Sequence, residues 1–179
     1  MKKPMLALAT LLPALASAAG LLGTTVNVGY DYDNGSGVLH THDDIVVGAG
    51  IELSCPGSAQ ICQVLTAPTQ TLDFSDGGLR YDYVGTGSSF DNVALNRFNL
   101  GLLNGGPALT GVQLTTNIAG LDNSRLSFTA HTVLLDMHGL SLGNQAFFQL
   151  DVQAAPVPEP ASAALLLGGL ALLAARRRP

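Results

Sequence analysis

Tryptophan is absent from the 179 residues, cysteine occurs twice, and charged side chains fill only 12% of positions. So sparse a charge excludes a solvated acidic or basic tail, which stays unfolded through high charge density. Basic residues are scarcest in the middle of the chain. From Ala19 to Ala155 there are three arginines (Arg80, Arg97 and Arg125), no lysine, and twelve acids, so three minus twelve gives a formal charge of −9. Such a surface repels phosphate backbones and anionic headgroups, which excludes nucleic acid as a partner. Long apolar runs are lacking too. The two that exist sit at the chain ends, and both fall short of the roughly 20 residues that a comfortable bilayer span requires, so a polytopic membrane protein is excluded.

What the ends do contain is ordered. Lys2 and Lys3 precede an apolar stretch from Met5 to Ala16, and Ala16-Ser17-Ala18 supplies small residues at the positions signal peptidase reads. The pattern predicts a secretion signal over residues 1–18, cleaved after Ala18. At the other end Val157-Pro158-Glu159-Pro160 is followed by an uncharged run from Ala161 to Ala175 and then by Arg176, Arg177 and Arg178. Fifteen helical residues reach about 22 Å against a hydrocarbon core of roughly 30 Å, so a span here would be strained. Arginines stay cytoplasmic by the positive-inside rule, which places the middle of the chain outside.

This order of parts, Pro-Glu-Pro, then a Leu/Ala/Gly-rich helix, then an Arg cluster, resembles the PEP-CTERM sorting signal over residues 156–179. The resemblance implies recognition of Pro158, Glu159 and Pro160 by an exosortase, a membrane-embedded protease-transferase of Gram-negative bacteria that make exopolysaccharide. It implies an inner-membrane-anchored precursor, held through the C-terminal helix and the Arg cluster until processing. The implied destination is the cell surface or extracellular matrix, with exopolysaccharide as surroundings and possible partner.

Between the ends, residues 19–155 alternate with a period of two, the signature of strands with one buried face. Val26, Val28, Tyr30 and Tyr32 share a face against Asn27, Gly29 and Asp31. Leu79, Tyr81 and Tyr83 oppose Arg80 and Asp82; Leu126, Phe128 and Ala130 oppose Arg125, Ser127 and Thr129; Phe148, Leu150 and Val152 oppose Gln149, Asp151 and Gln153. Asp33-Asn34-Gly35, Asp76-Gly77-Gly78, Gly85-Thr86-Gly87, Asn104-Gly105-Gly106-Pro107 and Asp122-Asn123 supply turns between such runs. The expected fold is all-β, an antiparallel β-sandwich of about eight to ten strands. Ser124 to Phe128, with Val133 to Leu140, is also similar to the ectodomains of other small PEP-CTERM proteins, a likeness that implies fold and location but no activity.

Several strings carry potential chemistry. Cys55 and Cys62 are expected to pair after export to an oxidising compartment, closing a small loop that contributes about 2.5 kcal/mol. His40, His42 and Asp44 fall on one face of a strand, with the spacing of the His-x-His-x-Asp motif of metallo-β-lactamase-type hydrolases. Ile45 stands where that motif continues with His, so a solvated polar segment is the expectation and metal binding the weak alternative. Asp31, Asp33 and Asn34-Gly35 hint at calcium but fail the EF-hand spacing at Gly35, Ser36 and His42, so no cofactor is expected, with calcium between loops kept as an alternative. Tyr30, Tyr32, Tyr81 and Tyr83 are candidates for core packing or a glycan-stacking platform. Ser75-Asp76 reads as a turn, and no nucleophile elbow is expected. The leading expectation is an exported, non-enzymatic surface or matrix protein. A glycan- or calcium-binding module is the alternative, and a metal-dependent hydrolase using His40, His42 and Asp44 the distant one.

Overall fold

Alternating apolar and polar side chains bury half of each residue pair only when the backbone is extended. The computed structural model describes residues 20–102, 108–155 and 168–169, and twelve strands lie among them. In chain order these are β1 (Thr25–Asp33), β2 (Val38–Val46), β3 (Ile51–Cys55), β4 (Gln70–Ser75), β5 (Gly78–Tyr83) and β6 (Ser88–Ser89). They continue with β7 (Leu95–Leu102), β8 (Leu109–Thr116), β9 (Leu126–Phe128), β10 (Thr132–Asp136), β11 (Ser141–Leu142) and β12 (Ala146–Ala154). Single 3-10 turns at Gln60–Gln63 and Asn123–Arg125 interrupt the connections.

One five-stranded sheet runs β2-β1-β7-β10-β9 and the other β3-β4-β5-β12-β8, with every pairing antiparallel. The ten strands of this sandwich meet the expected number; β6 and β11 add a small two-stranded ribbon beside it. The expected signal peptide over 1–18 and hydrophobic helix over 161–175 lie outside the described residues, apart from the helical pair Gly168 and Gly169. Among the described residues no helix is long and apolar enough to cross a membrane.

The β1–β2 hairpin forms where Asp33-Asn34-Gly35 predicts it. Asp33 Oδ1 accepts from the Gly35 N–H at 2.8 Å and Asn34 Oδ1 from the Ser36 N–H at 2.9 Å, while Gly35 takes φ +82°, which glycine adopts without steric cost. Inward faces match the alternation read from sequence for β1, β5 and β12. Val26, Val28 and Tyr30 of one sheet face the core with Leu79, Tyr81, Tyr83, Phe148 and Leu150 of the other. The Leu126–Ala130 alternation holds less well. Strand β9 is three residues at a sheet edge, Phe128 is 43% exposed, and Ala130 lies in the turn beyond it. An edge strand with one neighbour has too little sheet opposite it to bury the whole face.

At the centre Phe98 of β7 meets three rings from both sheets: Tyr30 at 4.8 Å, Phe148 at 5.2 Å and Tyr81 at 5.5 Å between centroids. Tyr81 and Phe148 stack at 4.9 Å. These separations fall in the range where aromatic pairs add to the area they bury.

Candidate functional site

The four tyrosines settle the first alternative. Tyr30, Tyr81 and Tyr83 are buried, so they cannot form a glycan-stacking platform; they are core residues whose hydroxyls are satisfied internally. Tyr30 donates to Asn96 Oδ1, Tyr81 to Gln70 Oε1 at 2.5 Å, and Tyr83 accepts from the Gly87 N–H at 3.2 Å. Burial pushes the phenols of Tyr30 and Tyr81 far above their ordinary range, so both stay neutral donors. Only Tyr32 is half-exposed.

His40, His42 and Asp44 do share the outward face of β2, and all three are exposed there, as a solvated polar segment would be. Register sets what each meets. His40 lies across from Asp31, His42 from Gly29 and Asp44 from Asn27. His40 Nδ1 contacts Asp31 Oδ1 at 2.8 Å, and Asn27 Nδ2 donates to Asp44 Oδ1 at 2.6 Å. Among the described residues no three His, Cys, Asp or Glu side chains are grouped to hold a metal ion. The side chains of the suspected calcium loop are engaged as well: Asp33 and Asn34 build the hairpin, and Asp31 is clasped from both sides.

That clasp is a cross-strand row. Register places His40, Asp31, Arg97 and Asp136 side by side over β2, β1, β7 and β10, with the Arg97 guanidinium between two carboxylates. Arg97 Nε donates to Asp31 Oδ2 at 2.8 Å, and His138 Nδ1 meets Asp136 Oδ2 at 2.6 Å. Opposite charges directly across antiparallel strands stabilise a sheet. Burial alone would raise the Asp31 pKa. The hydrogen bonds from His40 and Arg97, with the Arg97 charge, outweigh it and hold the carboxyl below its ordinary 3.8. A depressed carboxyl binds its proton more weakly folded than unfolded, so its stabilisation is complete above 3.8 and is lost as pH falls through the lower folded value. Asp31→Asn should therefore cost about 2 kcal/mol near neutral pH, the scale of hydrogen bonds to a charged group. The gap between variant and parent should be full above pH 3.8 and narrow as pH falls below it in urea titrations. A gap unchanged across that interval would refute the assignment.

Against the expectation that no nucleophile elbow occurs, Gly139-Leu140-Ser141-Leu142-Gly143 has the Gly-x-Ser-x-Gly spacing. An elbow places its serine between a strand and a helix. Ser141 instead opens the two-residue β11, is exposed, and pairs with Ser89 of β6. Asp136 and His138 lie nearby in sequence, yet no hydrogen bond joins the Ser141 hydroxyl to His138 among the described residues. The spelling is present without the architecture.

Cys55 and Cys62 form the expected disulfide, with Cα atoms 5.3 Å apart. It ties the end of β3 to the 3-10 turn Gln60–Gln63. The turn is pinned a second way: both carboxylate oxygens of Asp43 accept from the Gln60 and Ile61 N–H groups at 2.9 Å, and Ile61 is fully buried. At the end of the turn and just beyond it, Gln63, Val64 and Thr66 form one wall of a cleft of about 330 Å³. Tyr30, Tyr32 and Leu39 of the first hairpin contribute to it, as do Ser89, Phe90, Asp91 and Asn96 before and within β7. Tyr32 donates to Asp91 Oδ2 at 2.5 Å, and that bond raises the Tyr32 pKa above its ordinary value. Asn96 Nδ2 donates to the Asp91 carbonyl at 2.7 Å. No motif marked this cleft in the sequence, because its walls come from three separate segments.

Comparison with known proteins bears on the tail. No curated protein and no solved structure matches the chain. Residues 156–178 match the PEP-CTERM protein-sorting motif, a span that includes Val157-Pro158-Glu159-Pro160 and Arg176 to Arg178. The chain thus carries a PEP-CTERM sorting signal, the mark of an exosortase substrate, behind a small all-β domain.

Proposed function

We propose that the protein is a non-enzymatic component of the cell surface or extracellular matrix of a Gram-negative bacterium. It is exported as an inner-membrane-anchored precursor and processed at the tail by an exosortase-type enzyme. The sorting motif at residues 156–178 carries this reading. The Cys55–Cys62 bridge supports it, since disulfides persist in oxidising compartments outside the cytoplasm. So does the engagement of the catalytic-looking groups: Asp31 holds His40, Asn27 holds Asp44, and Ser141 sits in a short strand.

Intact-mass measurement of the surface and secreted fractions tests the proposal. The dominant species should lack both Met1 to Ala18 and Arg176 to Arg178. In a host that makes an exosortase, a dominant species retaining Arg176 to Pro179 would overturn it.

A further inference from the structure

The cleft beside the stapled turn is built from residues of the β-domain alone. Its volume of about 330 Å³ falls within the range of small-molecule sites. The disulfide, the Asp43 carboxylate and the buried Ile61 fix the wall that bears Gln63 and Thr66, so this wall is preorganised. On the facing side the Tyr32 hydroxyl orients Asp91 through one carboxylate oxygen. The other oxygen carries no hydrogen bond among the described residues and is available as an acceptor.

The lining chemistry selects a ligand class. Leu39, Val64 and Phe90 offer apolar surface, while Gln63, Thr66 and Ser89 offer both donors and acceptors. Lysine, arginine and histidine are missing from the lining, and the single charge is the Asp91 carboxylate. An anion would be repelled by Asp91 and by the acidic domain around it. A wholly apolar ligand would strip water from Asp91 and Gln63 without replacing it. A polyamine would satisfy Asp91 but leave the Gln63 amide N–H and the two hydroxyl donors unmatched, because an ammonium only donates. A ring with an apolar C–H face and a rim of hydroxyls, each able to donate and accept, satisfies all of these groups together.

We propose that this cleft binds a neutral saccharide residue, with Asp91 accepting from ring hydroxyls, the Gln63 amide bridging from the stapled wall, and Leu39, Val64 and Phe90 taking the C–H face. The inference concerns the β-domain alone and does not rest on the sorting reading, so failure of either leaves the other standing.

The test uses the full chain in a zwitterionic, non-glycosidic detergent, because alkyl glycosides would compete. Glucose, galactose and mannose are titrated separately while NMR follows the Gln63 side-chain amide and the Tyr32 and Phe90 rings. Glucuronate and spermidine serve as the anionic and cationic probes. At least one neutral hexose should shift these signals, with half-saturation on the order of millimolar, as expected for a single sugar ring on a few hydrogen bonds. Glucuronate should bind at least roughly tenfold more weakly, and Asp91→Asn and Gln63→Ala should each weaken the hexose by roughly tenfold. Gln63 is exposed, so Gln63→Ala keeps the test decisive if Asp91→Asn disturbs the fold. Four results would overturn the proposal: no hexose shifts the cleft signals, both variants leave the shifts intact, glucuronate binds as well as the neutral sugars, or spermidine alone binds.

Discussion

Phe98→Ala should lower the unfolding free energy by about 3–5 kcal/mol, the cost of deleting a fully buried aromatic ring. The ring is 0% exposed and packs within 6 Å of three others, two of them from the opposite sheet. Its loss leaves a cavity bordered by Tyr30, Tyr81 and Phe148, and these cannot close it without abandoning their own contacts. Tyr30 is held by Asn96 and Tyr81 by Gln70, which limits how far either can relax into the space. Since a domain of this kind is stable by only about 5–15 kcal/mol, one substitution removes a large share of the total. Phe98→Leu keeps most of the volume and should cost clearly less. Phe128→Ala deletes the same ring at a site 43% exposed on the edge strand, and should cost under about 1 kcal/mol. Urea titration followed by tyrosine fluorescence measures all three, because no tryptophan masks the signal and Tyr30 and Tyr81 lie against Phe98. Equal losses for Phe98→Ala and Phe128→Ala would remove Phe98 from its central place.

Local alternation made the strands legible and left the faces ambiguous. The period at Val26-Val28-Tyr30 and Leu79-Tyr81-Tyr83 says which residues point together. It does not say whether that direction is toward a second sheet or toward a ligand. The answer came from Phe98 and Phe148, distant in sequence, which close over the tyrosines. Asp31 shows the same limit. In sequence it is a polar residue on an outward face, but His40 on β2 and Arg97 on β7 flank it and leave it 5% exposed. Short-range chemistry was more transparent. The Asp33-Asn34-Gly35 turn and the Cys55–Cys62 bridge depend on residues within a few positions of each other, and both formed as read. The cleft was illegible for the opposite reason, since Tyr32, Gln63 and Asp91 come together only through the fold. Ser141 is the converse case, in which local spelling misleads because the element that follows it is not a helix.

Replacing Pro158, Glu159 and Pro160 together with alanine should reduce the processed species from dominant to background. Each proline lacks an N–H and disfavours the α conformation in the residue before it, so the segment entering the apolar run resists helix formation. Relative to alanine, each proline in a helix interior costs about 3 kcal/mol. The triple variant lifts that restraint and prefixes three good helix formers to the fifteen residues from Ala161 to Ala175. Eighteen helical residues reach about 27 Å, close to the hydrocarbon core of roughly 30 Å that fifteen fail to span. The substitution therefore lifts the bias toward the extended backbone that a protease-like site must grip and, in the same stroke, lengthens the run able to form helix. Intact masses should show Arg176 to Pro179 retained, and the protein should move from the surface or secreted fraction to the inner membrane. Glu159→Gln separates the two effects, because it keeps both prolines and the original apolar length while removing the one charge of Pro158-Glu159-Pro160. Should Glu159→Gln be processed normally and the triple variant not, backbone conformation and anchor length govern the cut. Loss of processing in both would assign recognition to the carboxylate. A triple variant trimmed to the same mass as the parent would sink the assignment of processing to Pro158-Glu159-Pro160.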